Sequence, residues 1–190
     1  MGGASFCIGG AVTEAQFREI SLRNPVNQTI LDRLPTLNLP DAWLVSGCLF
    51  QTVWNVLTER PLEHGIKDYD VFYFDPDTSW EAEDLVISRG QALFSDLGVQ
   101  IEFRNQARVH LWYGEKHGRP YPPLMSSCEG IDRFLATANM VGINPEGAVY
   151  APGLTDMAAL HIRPNRTANF RKDRYDEKNA RYRTCWPELV

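Results

Sequence analysis

With 190 residues, 44% hydrophobic and 11% aromatic, the chain carries enough apolar material for one substantial core and reads most simply as a single domain, residues 1–190. A formal charge of −5 argues against a broad nucleic-acid surface, and no run approaches the ~20 apolar residues of a membrane span. Four cysteines, at positions 7, 48, 128 and 185, lack Cys-x-x-Cys spacing, which argues against zinc and a disulfide framework and fits a reducing cytoplasm.

Residues 1–12 are small and mildly apolar without a basic leader, and are expected to form a loose N-terminus. Thr13-Glu14-Ala15-Gln16 has the form of a capping box and predicts a helix to about Arg23. A second helix follows Pro25 and ends before Pro40, so residues 13–39 read as an N-terminal helical cap. A short strand at Leu44 leads to Ser46-Gly47, which opens an apolar helix running from Cys48 to Glu59. Asp68-Tyr69-Asp70 then heads an aromatic strand, Val71 to Phe74. Asp75-Pro76-Asp77 reads as a turn capping a helix from about Ser79 to Asp96, because proline is barred from a central ladder position. Val99 to Arg104 alternates apolar and polar residues as a strand does. Gly114 to Pro123, with two glycines and three prolines, reads as a connecting loop. Beyond it come a helix near Ser127 to Ala138, short strands near Val141 and Val149, a helix from Thr155 and a polar helix after Asp173. The predicted class is α/β (α+β), a mixed sheet flanked by helices. Charge is uneven: residues 1–160 carry a net −9 and the basic segment 161–190 a net +4, read as a tail folded on an acidic body or a local phosphate or RNA patch.

Strand alternation puts Asp68 and Asp70 on one face with Cα atoms about 6.6 Å apart. Two carboxylates so placed repel unless a cation compensates them. Either Lys67 or an arginine forms an ordinary ion pair there, or a divalent ion occupies the site. With twelve aspartates an Asp-x-Asp pair is expected roughly once by chance. The strand that follows the first pair, and a third carboxylate, distinguish it. Glu102 shares a face with Arg104, and beside the Asp68 strand it would complete a cluster able to hold two divalent ions; otherwise the two are the solvated face of an edge strand. Asn105, Gln106, Arg108 and His110 follow directly and are possible substrate-cleft residues. Arg108 is also read as a partner for a core carboxylate, His110 as a structural histidine, and Trp112 and Tyr113 as core residues or as rings to stack on a base.

Leu44-Val45-Ser46-Gly47, Thr52-Val53-Trp54, Asp68-Tyr69-Asp70, the run Asn105 to Tyr113, Val141-Gly142-Ile143, Ala151 to Asp156 and Arg163-Pro164-Asn165 resemble the recurring motifs of a group of small bacterial nucleotidyltransferase-like proteins of unknown function, within the polymerase beta-like nucleotidyltransferase superfamily. The resemblance implies that fold, with Asp68, Asp70 and Glu102 as catalytic and metal-binding carboxylates and Mg²⁺ as cofactor, two ions, with Mn²⁺ as an alternative. It places Ser46 and Gly47 at the nucleotide phosphates, where a helix N-terminus favours anions, with Lys67 a further candidate there. The implied reaction moves an NMP from a nucleoside triphosphate to the hydroxyl of a small molecule, protein or RNA, releasing pyrophosphate. Ser46-Gly47-Cys48 departs from the superfamily's usual Gly-Ser or Gly-Gly, and the gap to Asp68 is longer than usual. The rival expectation is a catalytically inactive nucleotidyltransferase-like binding or partner protein, followed by a phosphohydrolase.

Overall fold

The computed structural model describes residues 12–190; residues 1–11, most of the segment read as a loose N-terminus, lie outside the described residues. Helix α1 (Glu14–Ser21) begins with the expected capping box: Thr13 Oγ1 accepts from the Gln16 N–H at 3.2 Å, and Gln16 Oε1 accepts from the Thr13 N–H at 2.9 Å. Helix α2 (Pro25–Arg33) starts with Asn24 capping the Val26 N–H at 3.0 Å and proline at the first helical position. Phe17, Ile20, Ile30, Leu31 and Leu34 from this region enter the main core with the apolar helix α3 (Gly47–Leu57).

Five strands form one sheet: β1 (Trp43–Val45), β2 (Asp68–Tyr73), β3 (Gln100–Asn105), β4 (Gly142–Ile143) and β5 (Val149–Tyr150), in the order β3-β2-β1-β4-β5. The sheet is mixed, as expected. β2 and β3 run parallel and every other pair antiparallel. Parallel neighbours need a crossover, supplied here by helix α4 (Trp80–Leu93). Along β2 burial alternates, with Tyr69, Val71 and Tyr73 inside and Asp68, Asp70 and Phe72 on the other face. The inner face packs on the α3 and α4 side with Phe103 of β3. Gly90 of α4 meets the Phe103 ring so closely that a Cβ there would fall 2.2 Å from a ring carbon.

Helices α5 (Val109–His117), α6 (Ser127–Ile131), α7 (Leu154–Ala158) and α8 (Lys172–Cys185) complete the fold. Two expectations change here. The loop predicted from Gly114 begins later, because α5 absorbs Gly114 and ends at Gly118, whose φ of 64° suits a glycine stop. The helix predicted to Ala138 stops at Ile131, where Asn165 Nδ2 donates to the carbonyls of Asp132 and Phe134 at 2.7 and 2.9 Å, capturing acceptors that a continuing helix would use. Ile131 packs instead with Trp43 and Val45 in a small second core on the outer face, beside Phe72 and Phe134.

The basic C-terminal segment is firmly packed. Tyr182 and Trp186 sit edge-on to Trp54 at 5.7 and 5.3 Å, and Trp186 Nε1 donates to Asn55 Oδ1 at 2.8 Å. α8 is thereby fixed against α3 in the main core.

Alanine for glycine inside an ordinary helix gains about 1 kcal/mol. At Gly90 the fully buried Phe103 cannot yield, so Gly90→Ala is expected to lose about 1–3 kcal/mol of stability in urea unfolding. A stabilised variant would contradict this packing.

Candidate active site on the outer sheet face

β1 pairs with β2 so that Val45 lies opposite Asp70, and β2 pairs with β3 so that Asp70 lies opposite Glu102. Just after β1 the chain turns sharply at Ser46, where φ is 56° and ψ −113°, a conformation uncommon for a residue with a side chain. The Ser46 N–H donates to the Val141 carbonyl at 2.8 Å, while its side chain makes no capping bond, so Ser46 is not an ordinary N-cap. The first amides of α3 thus lack a side-chain cap beside the acid pair. A Cβ on Gly47 would lie 3.9 Å from Asp68 Oδ1 and 3.2 Å from Gln51 Nε2, so any larger residue there would narrow the gap.

Among the described residues, neither Asp68 nor Asp70 takes part in an ion pair or a side-chain hydrogen bond. The ordinary ion pair expected as the alternative is therefore absent from direct contact. Burial, then the charges of Asp68 and Glu102, push the Asp70 carboxyl up to about 7, against a weaker pull from Lys178 and Arg104. Beneath the pair, burial and then the Asp70 charge push the Cys48 thiol upward, so this cysteine is an inert core group.

Glu102 shares the sheet face of Asp70, but its side chain turns away. Oε2 accepts from Arg104 Nη2 at 2.8 Å and Oε1 from Gln100 Nε2 at 2.8 Å. Among the described residues no set of three His, Cys, Asp or Glu side chains converges on a point that could hold a metal ion. The three-carboxylate cluster exists as a strand register and not as a converged donor set. Asp68 and Asp70 still fit a hard divalent cation, being uncompensated oxygen donors on one face. The Glu102–Arg104 pair is about a third exposed on each side, and such pairs contribute at most about 1 kcal/mol, so re-aiming Glu102 costs little.

The remaining candidates divide. Lys67 is exposed just before β2 and pairs with no carboxylate among the described residues. Asn105 is buried in structure: its Nδ2 donates to the carbonyls of Asp75 and Asp77 at 3.0 and 3.1 Å, while its Oδ1 accepts from the Asp75 N–H at 3.0 Å. Asp75 and Asp77 form the expected turn, accepting in sequence from the N–H groups of Asp77 and Ser79. Arg108 is paired with Glu83 in the interior and donates to the Thr78 carbonyl, the core role rather than the cleft role. His110 Nδ1 is buried without a partner, so it is not the satisfied structural histidine expected.

Of the cleft candidates Asn105, Gln106, Arg108 and His110, Gln106 alone lines a cavity of about 430 Å³. The cavity opens on the outer face over Phe72 and Arg104, next along the strands from Asp70 and Glu102. Trp112 and Tyr113 line it instead of entering the core, Arg174 and Lys178 of the basic C-terminal segment reach it, and Arg133 adds a cation that motif reading missed. The available signal was the interleaving of aromatic and basic residues across three separate segments.

The titration of Asp70 has a stability consequence. Between its ordinary value of 3.8 and about 7 the folded protein holds a proton that the unfolded chain has released, so this group lowers stability progressively across that window and by a constant amount above it. The upper bound is roughly 4 kcal/mol. In metal-free buffer Asp70→Asn is expected to exceed the wild type in stability, with the gap widening from pH 4 to pH 7 and then levelling. Parallel pH profiles in urea unfolding would refute the assignment.

A family model described as Nucleotidyltransferase matches residues 32–190, which include the acid strand, the α3 start and the cavity. No curated protein matches the chain. Among solved structures, the chain is similar to a protein whose NMR structure is described as revealing a CCA-adding enzyme head domain, with 25% identity and a TM-score of 0.72 over 97% of this chain and 98% of that one. The mixed sheet flanked by helices is thus the polymerase beta-like nucleotidyltransferase fold, and the chain belongs to a nucleotidyltransferase family of that superfamily.

Proposed function

We propose that the protein is a Mg²⁺-dependent nucleotidyltransferase that moves an NMP from a nucleoside triphosphate to an acceptor hydroxyl and releases pyrophosphate. The observation that carries this reading is the uncompensated pair Asp68 and Asp70, set beside the uncapped start of α3 on one side and a cationic cavity on the other. The similarity to a protein described as a CCA-adding enzyme head domain supports it.

Asp68 and Asp70 would hold the divalent ions, with Glu102 joining them once released from Arg104. Bound there, Mg²⁺ supplies Lewis-acid polarisation of the α-phosphate and lowers the pKa of the acceptor hydroxyl. The first amides of α3 receive the anionic phosphates, and Gly47 allows their approach without a side chain in the way. Glu102 takes the acceptor's proton as the hydroxyl attacks. Lys67 lends a mobile positive charge at the phosphate end of the site. Three cysteines among the described residues are free, which suits a reducing cytoplasm, and no helix among them is long and apolar enough to cross a membrane.

One observation favours a second reading, a catalytically inactive nucleotide-binding or partner protein: both oxygens of Glu102 are already engaged. Calorimetric titration of the four nucleoside triphosphates with Mg²⁺ separates the two. The proposal expects one nucleotide to bind the wild type in a metal-dependent way and the Asp70→Asn variant to lose that binding and all pyrophosphate release. Metal-dependent binding with no turnover on any acceptor supports the second reading, and retained turnover in the variant overturns the carboxylate assignment.

A further inference from the structure

The cavity's volume of about 430 Å³ falls in the range of small-molecule sites. Gly47 lies level with Asp68, whereas Phe72, on the cavity floor, lies four residues further along β2, about 13 Å by strand rise. The acid pair therefore stands between the α3 start and the cavity.

Two kinds of wall chemistry meet there. Tyr113 and Tyr121 have ring centroids 4.4 Å apart, and Phe72 lies nearly parallel to Phe134 at 5.5 Å, so the walls offer flat apolar surfaces. Around them stand Arg104, Arg171 and Arg174, already paired with Glu102, Asp173 and Glu177, and also Arg133 and Lys178. Arg133 and Lys178 pair with no carboxylate among the described residues. His117 reports the same field, its pKa lowered by burial and then by Lys116, Arg171 and Arg174. Asn139, 3% exposed, also lines the cavity.

A donor whose triphosphate lies at Gly47 brings only an uncharged base to this cavity, and an uncharged base gives Arg133 and Lys178 no counter-charge. A ligand with its own negative charge would answer the unpaired Arg133 and Lys178. We propose that the cavity is the acceptor site and that the acceptor is a small planar molecule bearing a phosphate or carboxylate and a hydroxyl, an inference that rests on the nucleotidyl-transfer reading. In the transfer the acceptor's hydroxyl oxygen bonds the α-phosphorus, the bond from that phosphorus to the bridging oxygen breaks, pyrophosphate leaves and the hydroxyl proton passes to Glu102.

The test uses three probes in metal-free buffer: 1-naphthyl phosphate, 1-naphthoate and uncharged 1-naphthol, titrated by calorimetry into the wild type and into Asp70→Asn, Arg133→Gln and Lys178→Gln. At least one anion is expected to bind the wild type and Asp70→Asn alike, with 1-naphthol on the order of ten-fold weaker. Whichever anion binds tighter identifies the acidic group. Arg133→Gln and Lys178→Gln should each weaken the anion several-fold and leave 1-naphthol unchanged; Lys178 is exposed, so its replacement leaves the fold intact. Equal binding of 1-naphthol, no effect of either cation variant, or displacement of the probe by ATP or by a short RNA overturns the proposal. Because the probes need neither metal nor nucleotide, their failure leaves metal-dependent nucleotide binding readable, and the reverse also holds.

Discussion

Two carboxylates held on one face of a strand, with no cation among the described residues touching them, set the terms for the rest of this structure. Strand alternation places Asp68 and Asp70 together, and the parallel register with β3 adds Glu102 beside Asp70. Each neighbouring feature bears on that repulsion. The left-handed turn at Ser46 delivers the helix start against Asp68, and α8 carries Lys178 close enough to oppose the charge without quenching it. Backbone strain and unbalanced charge both cost stability, and their coincidence at one place marks a site arranged for a ligand.

The framework around the pair divides into fixed and movable parts, and burial decides which is which. Arg108 and Glu83 are paired in the interior, where removing one partner costs about 3–5 kcal/mol, and Glu83 also accepts from the Asn105 N–H at 3.0 Å. That network pins the end of β3 and the turn after β2. The Arg104–Glu102 pair two residues away is solvent-washed and weak. The same strand therefore ends in an anchored residue and carries in its middle a carboxylate free to change partners.

Much of the fold was legible in the sequence because its signals are local. Thr13, Asn24 and Ser79 cap helices as their side-chain chemistry dictates, and Val71 to Tyr73 forms a strand as its aromatic and β-branched residues require. The acid pair was legible for the same reason. What escaped depended on contacts across the chain: Asn165 ending α6 from more than thirty residues away, Asn105 turned into the Asp75 turn, and Glu102 drawn to Arg104. The cavity was illegible as such because Tyr113, Arg133 and Lys178 come from segments that only the fold brings together.

On the proposed function, a divalent cation relieves the repulsion between Asp68 and Asp70. Carbon-13 NMR titration of the Asp70 side-chain carboxyl, with and without Mg²⁺, tests it most directly. The account predicts a midpoint near 7 in metal-free buffer, falling by at least one pH unit when Mg²⁺ is added, since cation and proton compete for the same oxygens. A midpoint near 3.8 without metal, or one that Mg²⁺ leaves unmoved, would contradict it.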